Sequence, residues 1–482
     1  MKILFNKNEY DVPRGTKIGD LPFVEKQCGG KGICGKCKVK ASGFLSPLSD
    51  NEKRLLSPKE IAEGIRLACE TVIFGEAEIE SRQSLDAQIV TEGIMPDYEL
   101  EPRFKNYGVS IDIGTTTVAS RLYDSKGTLL MEETCLNPQI AVGADVVTRM
   151  EHALAGEDTR LREMILECID GILQKFLMTA ESIDGIVICG NTVMLSFLTG
   201  TNVYSMSRAP FTAQSLFGET VSAGELGLKS IKPETEIYLS KCISAFVGGD
   251  VSCAILASGM LKRQNAFLVD MGTNGEMALW NNGELTVCST AAGPVFEGAG
   301  IKNGMRAEKG AISRVKLKDN EMFVKVIGDV EPVGICGGGL IDAVSCLIEK
   351  GDLDESGYMD EDRKIASDVE VTRGDIRNVQ LAKSAIRAGI EALLSHKKIS
   401  ARDIEVFKIS GGFGKHLDIK NAISIGLLPE NICAEAIGNG ALAGASALLL
   451  DKKMSDHFEN AKTLELAGNP VFVDKYMEHM LF

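Results

Sequence analysis

The chain has 482 residues, a net charge of −15, 44% hydrophobic and 25% charged residues. This composition suits a globular protein of two to four domains with a large buried core. The acidic balance, with no long Lys/Arg run, excludes nucleic acid as the expected partner, because phosphate contact relies on clustered positive charge. The opening residues, MKILFNKNEYDVPRG, fit neither a secretory nor a transit signal, and no long apolar span is present, so a cytoplasmic location without membrane contact is expected.

Residues 1–85 open with strand-like runs at 3–5 and 10–12. A helical stretch leads to a Gly-rich loop holding Cys28, Cys34 and Cys37, and a strand follows at 37–41. The next segment reads as polar turn and helix, with Ser57 as cap, Pro58 and Glu60 in the first turn, and Cys69 at the end of the helical pattern. Residues 86–105 have no sustained period and contain two prolines, Pro96 and Pro102; they are expected to be a linker. From residue 106 onward, apolar strands alternate with amphipathic helices, which predicts an α/β domain with covered sheets.

This second region contains a near-repeat. SIDIGTTTVASRL (110–122) aligns with LVDMGTNGEMALW (268–280), so that Asp112, Gly114 and Thr115 match Asp270, Gly272 and Thr273 at an offset of 158. DGIVICGN (184–191) resembles VFKISGGF (406–413), and AFVGGDVSCAILA corresponds to AIGNGALAGASAL, where recurring small residues allow close helix packing. Two half-domains, about 106–265 and 266–482, with a cleft between them are implied.

Cys28, Cys34, Cys37 and Cys69 are separated by five, two and thirty-one residues. Four thiolates satisfy a 2Fe-2S cluster, and the plant-type arrangement is a Cys-rich loop plus one distant Cys. The intervening Gly29, Gly30, Gly32 and Gly35 permit positive φ and backbone amides turned toward the sulfides. Tetrahedral zinc is the alternative, but zinc ribbons usually pair two Cys-x2-Cys knuckles and only one stands here. The same loop mimics GxGxxG and nearly mimics a Walker A motif. Cys37 stands where a Mg²⁺-binding hydroxyl is needed, and no long helix pattern starts there. The other nine cysteines, scattered singly, are expected to be structural.

A lone Asp-x-Gly-Thr is weak evidence, because Asp and Gly commonly make tight turns. Two copies on matched strand-turn-strand units can present amides and the hydroxyls of Thr115, Thr116, Thr117 and Thr273 to phosphate oxygens from both sides. Asp112 and Asp270 would then hold Mg²⁺, mostly through waters. A nucleoside triphosphate is the expected ligand. Asp250, at the start of a helix expected over 246–258, is either a group orienting the attacking water or an ordinary N-cap.

CGGKGICGKCKVKASG with the downstream RLACE resembles the β-grasp 2Fe-2S ferredoxin domain of the reductive activators of corrinoid proteins. The duplicated hairpins resemble the first and second phosphate motifs of the actin, hexokinase and heat-shock chaperone superfamily, a ribonuclease H-like ATPase fold. Residues 246–258 and 440–450 resemble its two connecting helices, and Ser410-Gly411-Gly412-Phe413-Gly414 its adenosine motif. The closer likeness is again to the corrinoid activators, through Asn137-Pro138-Gln139, Gly143-Ala144-Asp145, Gly190-Asn191-Thr192, AAGPVFEGAGIKNGMRA (291–307) and GICGGGLIDAV (334–344). Longer members carry a further domain where this chain has only a short linker. The likeness implies ATP contacts at Gly114, Thr115, Thr116, Thr117, Gly272, Thr273, Asn274, Gly338, Gly411, Gly412 and Phe413, with Asp112, Asp270 and Asp250 as catalytic carboxylates. For 291–307 it implies nucleotide or partner contact, an ordinary surface loop being the alternative; His416 has no assigned role.

The likeness implies an ATP-hydrolysing metalloprotein reductase. It would restore the Co(II) of a methyltransferase-associated corrinoid protein to Co(I) through a 2Fe-2S cluster fed by an upstream electron donor; a monomer or a homodimer stays open. Three other readings are a small-molecule kinase with an accessory metal domain, a redox-sensing nucleotide binder, and an activator of 2-hydroxyacyl-CoA dehydratases. Activators of the last kind hold a 4Fe-4S cluster between two subunits, a part that Cys189 and Cys336 would have to play.

Overall fold

The computed structural model describes residues 1–21, 24, 30–32, 35–81, 93–412, 417–458 and 460–482. Cys28, Cys34, Phe413 and His416, with the first part of the expected linker, lie outside these residues.

Alternating apolar residues build the N-terminal sheet. Ile3 and Phe5 of Lys2–Phe5, Val39 and Ala41 of Lys38–Leu45, and Ile73, Ala77 and Ile79 of Ile73–Ser81 all point into one core. The five strands run in the order Asn8–Asp11, Lys2–Phe5, Ile73–Ser81, Lys38–Leu45, Ile65–Leu67, with the second and third parallel. Among the described residues, the helical stretch expected before the cysteine loop is only a short turn, Ile18–Asp20. Ser57 and Glu60 form the capping box that starts the helix Pro58–Ala62. That helix stops early. Gly64 takes φ +80, and Ile65 and Leu67 then alternate inward as a strand, so Cys69 follows a strand and not a helix.

A buried ion pair ties the strand Ile65–Leu67 to the preceding helix, Asp50–Leu55. Glu52, fully buried, accepts hydrogen bonds from Arg66 Nε (2.8 Å) and Nη2 (3.0 Å), from the Leu67 amide and from Thr71 Oγ1. Burial pushes its pKa up, but the hydrogen bonds from Arg66 and from the amides of Ser49 and Leu67 outweigh this and hold it below 4.5. A depressed native pKa contributes stability above the unfolded value that is lost as pH falls through the native one. Glu52→Gln should therefore cost about 3 kcal/mol near neutral pH, since breaking a buried pair costs roughly 3–5 kcal/mol. The difference from wild type should shrink as pH falls below about 4.5. Amide-exchange protection of residues 65–71 measures it, and a pH-independent gap would contradict this account.

Two six-stranded sheets follow. The first has the order Glu219–Ser222, Glu236–Leu239, Gly185–Gly190, Tyr107–Ile113, Thr117–Asp124, Leu129–Leu136. The second has Ala434–Gly438, Val406–Ser410, Asn265–Met271, Gly275–Asn281, Glu284–Thr290, Lys462–Thr463. In each, a three-stranded antiparallel meander pairs its first strand with a parallel strand, which pairs with a second parallel strand. The aligned hairpins, 110–122 and 268–280, thus occupy corresponding places. Gly249–Ser258 and Gly440–Leu450 are helices packed between the sheets. Their contact is close enough that a Cβ on Gly444 would lie 2.0 Å from the Cys253 carbonyl oxygen.

The described part of the expected linker, residues 93–105, lies against this body. The amides of Ile94, Glu101 and Arg103 donate to the carbonyls of Ile437, Leu450 and Leu449, and Arg103 Nε donates to Leu448 O at 2.7 Å. No helix among the described residues is long and apolar enough to cross a membrane.

Candidate functional site: a carboxylate-lined cleft and a cysteine loop

Each hairpin carries, one residue before the end of its first strand, an Asp that lines one shared cavity. Asp112, Gly114, Thr115, Thr116 and Thr117 line it from the first sheet, and Asp270, Gly272, Thr273 and Asn274 from the second. Asp250, Gly338, Gly411 and Gly412 line the same cavity, so every expected cleft residue within the described chain is brought together there.

The local sequence explains the scaffold of the first hairpin. Asn137 Nδ2 donates to the Gly114 carbonyl at 2.9 Å, while Asn137 Oδ1 accepts from the Gln139 amide. Arg149, fully buried, donates to the carbonyls of Thr115 and Gly143. Asn191 caps the helix Thr192–Thr199 and donates to Thr115 Oγ1 at 3.2 Å. Asn439 caps Gly440–Leu450 and donates to Asp112 Oδ2 at 3.1 Å. Asp250 is not a cap: Gly248 holds that position, and the Asp250 carboxylate accepts from the next amide, Val251, at 2.8 Å. Asp250 lines the cavity.

Three further charged residues, Glu276, Glu297 and Arg306, line the cavity; Glu297 and Arg306 belong to the 291–307 segment expected to contact nucleotide or partner, and Glu276 is a residue the sequence reading missed. Glu297 accepts from Thr273 Oγ1 at 3.1 Å and, with Arg306, places the 291–307 loop in the cleft wall. The cavity thus gathers five carboxyl groups against one guanidinium. Burial pushes Asp112 up to about 6, with the charge of Asp270 adding to it and the Asn439 amide opposing. Burial, then the charges of Asp112 and Asp270, raise Asp250 to about 7. Burial raises Asp270, and burial with the charges of Asp250 and Asp270 raises Glu276 strongly. Burial first, and then the crowding of like charge, is the physical cause of these upward shifts.

In the cysteine loop, Cys37 and Cys69 are both buried, and the Cys69 amide donates to Cys37 Sγ at 3.4 Å. Gly30, Gly32 and Gly35 take φ of +79, +68 and +64, the left-handed backbone that lets amides turn toward an enclosed anion. The described half of the ligand set therefore suits a cluster. The loop abuts the first sheet's flank: Gly30 and Cys69 share a crevice with Ala141, Val142 and His152, and Lys36 Nζ donates to the Ile301 carbonyl at 2.7 Å.

Residues 264–482 match the family model described as the C-terminal domain of RACo, the ASKHA domain, and residues 107–263 match the RACo middle region. The chain is 33% identical over 418 residues to the corrinoid activation enzyme RamQ of Eubacterium limosum, an alignment covering 78% of this chain and 70% of that one. The chain belongs to the RACo family of corrinoid activators. It is also 29% identical over 405 residues to the [Co(II) methylated amine-specific corrinoid protein] reductase of Methanosarcina barkeri, covering 74% and 73% of the two chains. Among solved structures it is similar to a reductive activator for corrinoid, iron-sulfur protein, with TM-score 0.72, 27% identity, and coverage of 100% of this chain and 98% of that one.

Family membership agrees with an actin-like ATPase region at the C-terminus. It does not favour the dehydratase-activator arrangement. Cys189 is fully buried beneath Asp112, its Sγ 3.7 Å from Asp112 Oδ1, and Cys336 lines the inner cavity at 3% exposure. Neither thiol reaches a surface that a second subunit could share.

Proposed function

We propose that this chain reductively activates a corrinoid protein, taking its cobalt from Co(II) to Co(I) at the expense of ATP hydrolysis. The observation that carries the proposal is the paired-hairpin cleft with five carboxyls and one guanidinium, in a chain similar over its full length to a reductive activator. We read residues 1–85 as a 2Fe-2S ferredoxin domain of β-grasp type, 86–105 as the connection, and 106–482 as a duplicated ATPase whose halves are 106–265 and 266–482. The shared strand order of the two six-stranded sheets supports the duplication.

In this reading the amides and hydroxyls of Thr115, Thr116, Thr117 and Thr273 bind the triphosphate, Gly338, Gly411, Gly412 and Phe413 flank the adenosine, and Asp112 and Asp270 would hold Mg²⁺ through waters. Asn439 and Asn191 fix the orientation of Asp112 and Thr115 through the hydrogen bonds given above. Asp250 orients the attacking water. Cys28, Cys34, Cys37 and Cys69 would hold the cluster, which when bound supplies a one-electron carrier near about −400 mV. Cys37 and Cys69 themselves belong to the hydrophobic core of the N-terminal sheet. Closure of the cleft between the two sheets, pivoting where Gly249–Ser258 crosses Gly440–Leu450, is the motion that couples nucleotide to the docked corrinoid protein.

Anaerobically purified protein tests the first half of the proposal. Visible and EPR spectra with the bands of a 2Fe-2S centre, together with iron and sulfide in equal amounts, are expected; iron-free protein with bound zinc would refute it.

A further inference from the structure

Two of the cysteines outside the cluster loop meet. Cys135 Sγ and Cys168 Sγ lie 3.1 Å apart, a thiol–thiol hydrogen bond between the edge strand Leu129–Leu136 and the helix Asp158–Phe176. Both are partly exposed; of the other described cysteines only Cys433 reaches solvent. A disulfide needs its sulfurs at about 2.0 Å, so the two elements already stand close to where such a bond would hold them. The hydrogen bond from Cys168 lowers the pKa of Cys135, burial opposes it, and the Lys175 ammonium lowers it further; the thiolate is the form that attacks a disulfide. The pair also reaches the cleft through its neighbours. Cys135 faces Val118 across the strands, beside Thr117. Two residues on, Asn137 holds the first phosphate loop: its side chain donates to the Gly114 carbonyl and its amide to the Thr116 carbonyl, both at 2.9 Å. From the helix, the Leu161 carbonyl accepts from Gln139 at 2.8 Å. A bond between the two thiols would join the two elements that support this loop.

We propose that Cys135 and Cys168 form a reversible regulatory disulfide that slows ATP hydrolysis under oxidising conditions; its effect on hydrolysis rests on the ATPase reading above. The oxidant is a small-molecule disulfide. The Cys135 thiolate attacks one of its sulfurs, the oxidant's sulfur–sulfur bond breaks, and one thiolate leaves. Cys168, on losing its proton, attacks the Cys135 sulfur of the mixed disulfide and expels the second thiolate. Two electrons pass to the oxidant, which departs as two thiols carrying the two protons of the pair. Drawing the sulfurs together by roughly 1 Å displaces the support of Gly114 and Thr116, and a misplacement of that size can cost about 10²-fold in rate. Hydrolysis then slows when the thiol pool is oxidised, the condition under which low-potential electrons for cobalt are scarce.

The test incubates the full-length holoprotein with oxidised glutathione, maps its disulfides by mass spectrometry of proteolytic peptides, and measures ATP hydrolysis in the same samples. A Cys135–Cys168 bond should form, hydrolysis should fall by at least about tenfold in proportion to the bonded fraction, and dithiothreitol should restore it. The double variant Cys135→Ala with Cys168→Ala should hydrolyse ATP within about threefold of reduced wild type whether or not the oxidant is present. If the double variant does not fold, the proportionality in wild type decides by itself. Absence of the mapped bond, a bond formed with hydrolysis still within about threefold of the reduced protein, or an equal loss in the double variant would each overturn the proposal. Absence of hydrolysis in reduced wild type would instead defeat the ATPase reading, and the peptide map would still report on the thiol pair.

Discussion

Asp112→Asn is expected to lower ATP hydrolysis by roughly 10²–10³-fold, the loss typical when one preorganised electrostatic contact in an active site is removed. The substitution keeps shape and burial but removes a charge. Asp112 sits on the first strand of its sheet, held by the Asn439 amide at 3.1 Å and backed by the Cys189 thiol, so the variant should fold. The cavity's other carboxyls remain, but the first sheet then contributes no charge of its own to the cleft, because the cavity's remaining acids come from other elements. The cluster spectrum should be unchanged, and cobalt reduction with ATP should be no faster than without it. Hydrolysis within about threefold of wild type would remove Asp112 from the machinery.

Cys37→Ala is expected to give the converse pattern. One ligand of four is lost and the 2Fe-2S bands disappear, while ATP hydrolysis stays within about threefold of wild type, because the Cys37 and Asp112 sites are built from separate cores. Co(I) formation should vanish with and without ATP. The energetic reason lies in the potentials. A plant-type centre near about −400 mV facing an acceptor on the order of 150 mV lower works against ~3.5 kcal/mol, at about 59 mV per tenfold for one electron. Without the carrier, hydrolysis has nothing to drive. Retained Co(I) formation would contradict the division of labour.

The parts of the site that were legible in the sequence are those whose chemistry is local. An Asp-x-Gly-Thr turn carries its own strand, turn and hydroxyls, so both hairpins could be recognised and paired by a constant offset. Gly440–Leu450 likewise matched its expected bounds, because an uninterrupted small-apolar run after Asn439 has one clear start. Glu276 escaped for a physical reason: the offset of 158 sets it against Val118, and only strand register, with the shorter second loop, puts it opposite Asp270. Glu297 and Arg306 enter the cleft from an irregular loop whose path no periodicity predicts. Asp250 was ambiguous until Gly248 proved to be the cap.

One local misreading has a physical origin. The pattern leading to Cys69 looked helical because polar and apolar residues alternate irregularly through 50–69, yet Gly64 in a left-handed conformation ends the helix and a short strand follows. Residues 93–105 show no apolar period of their own because their hydrogen bonds are made to the backbone of other elements, at Ile437 and at the end of Gly440–Leu450.

The most direct test of the central claim is the rate of Co(I) formation in an isolated corrinoid protein, followed by its visible absorption under anaerobic conditions with a fixed reductant poised at about −400 mV. With catalytic amounts of this protein and Mg-ATP, cob(II)alamin should convert to Co(I) in proportion to ATP hydrolysed, and replacing ATP by AMP-PNP should stop turnover. Equal rates with and without ATP would contradict the account.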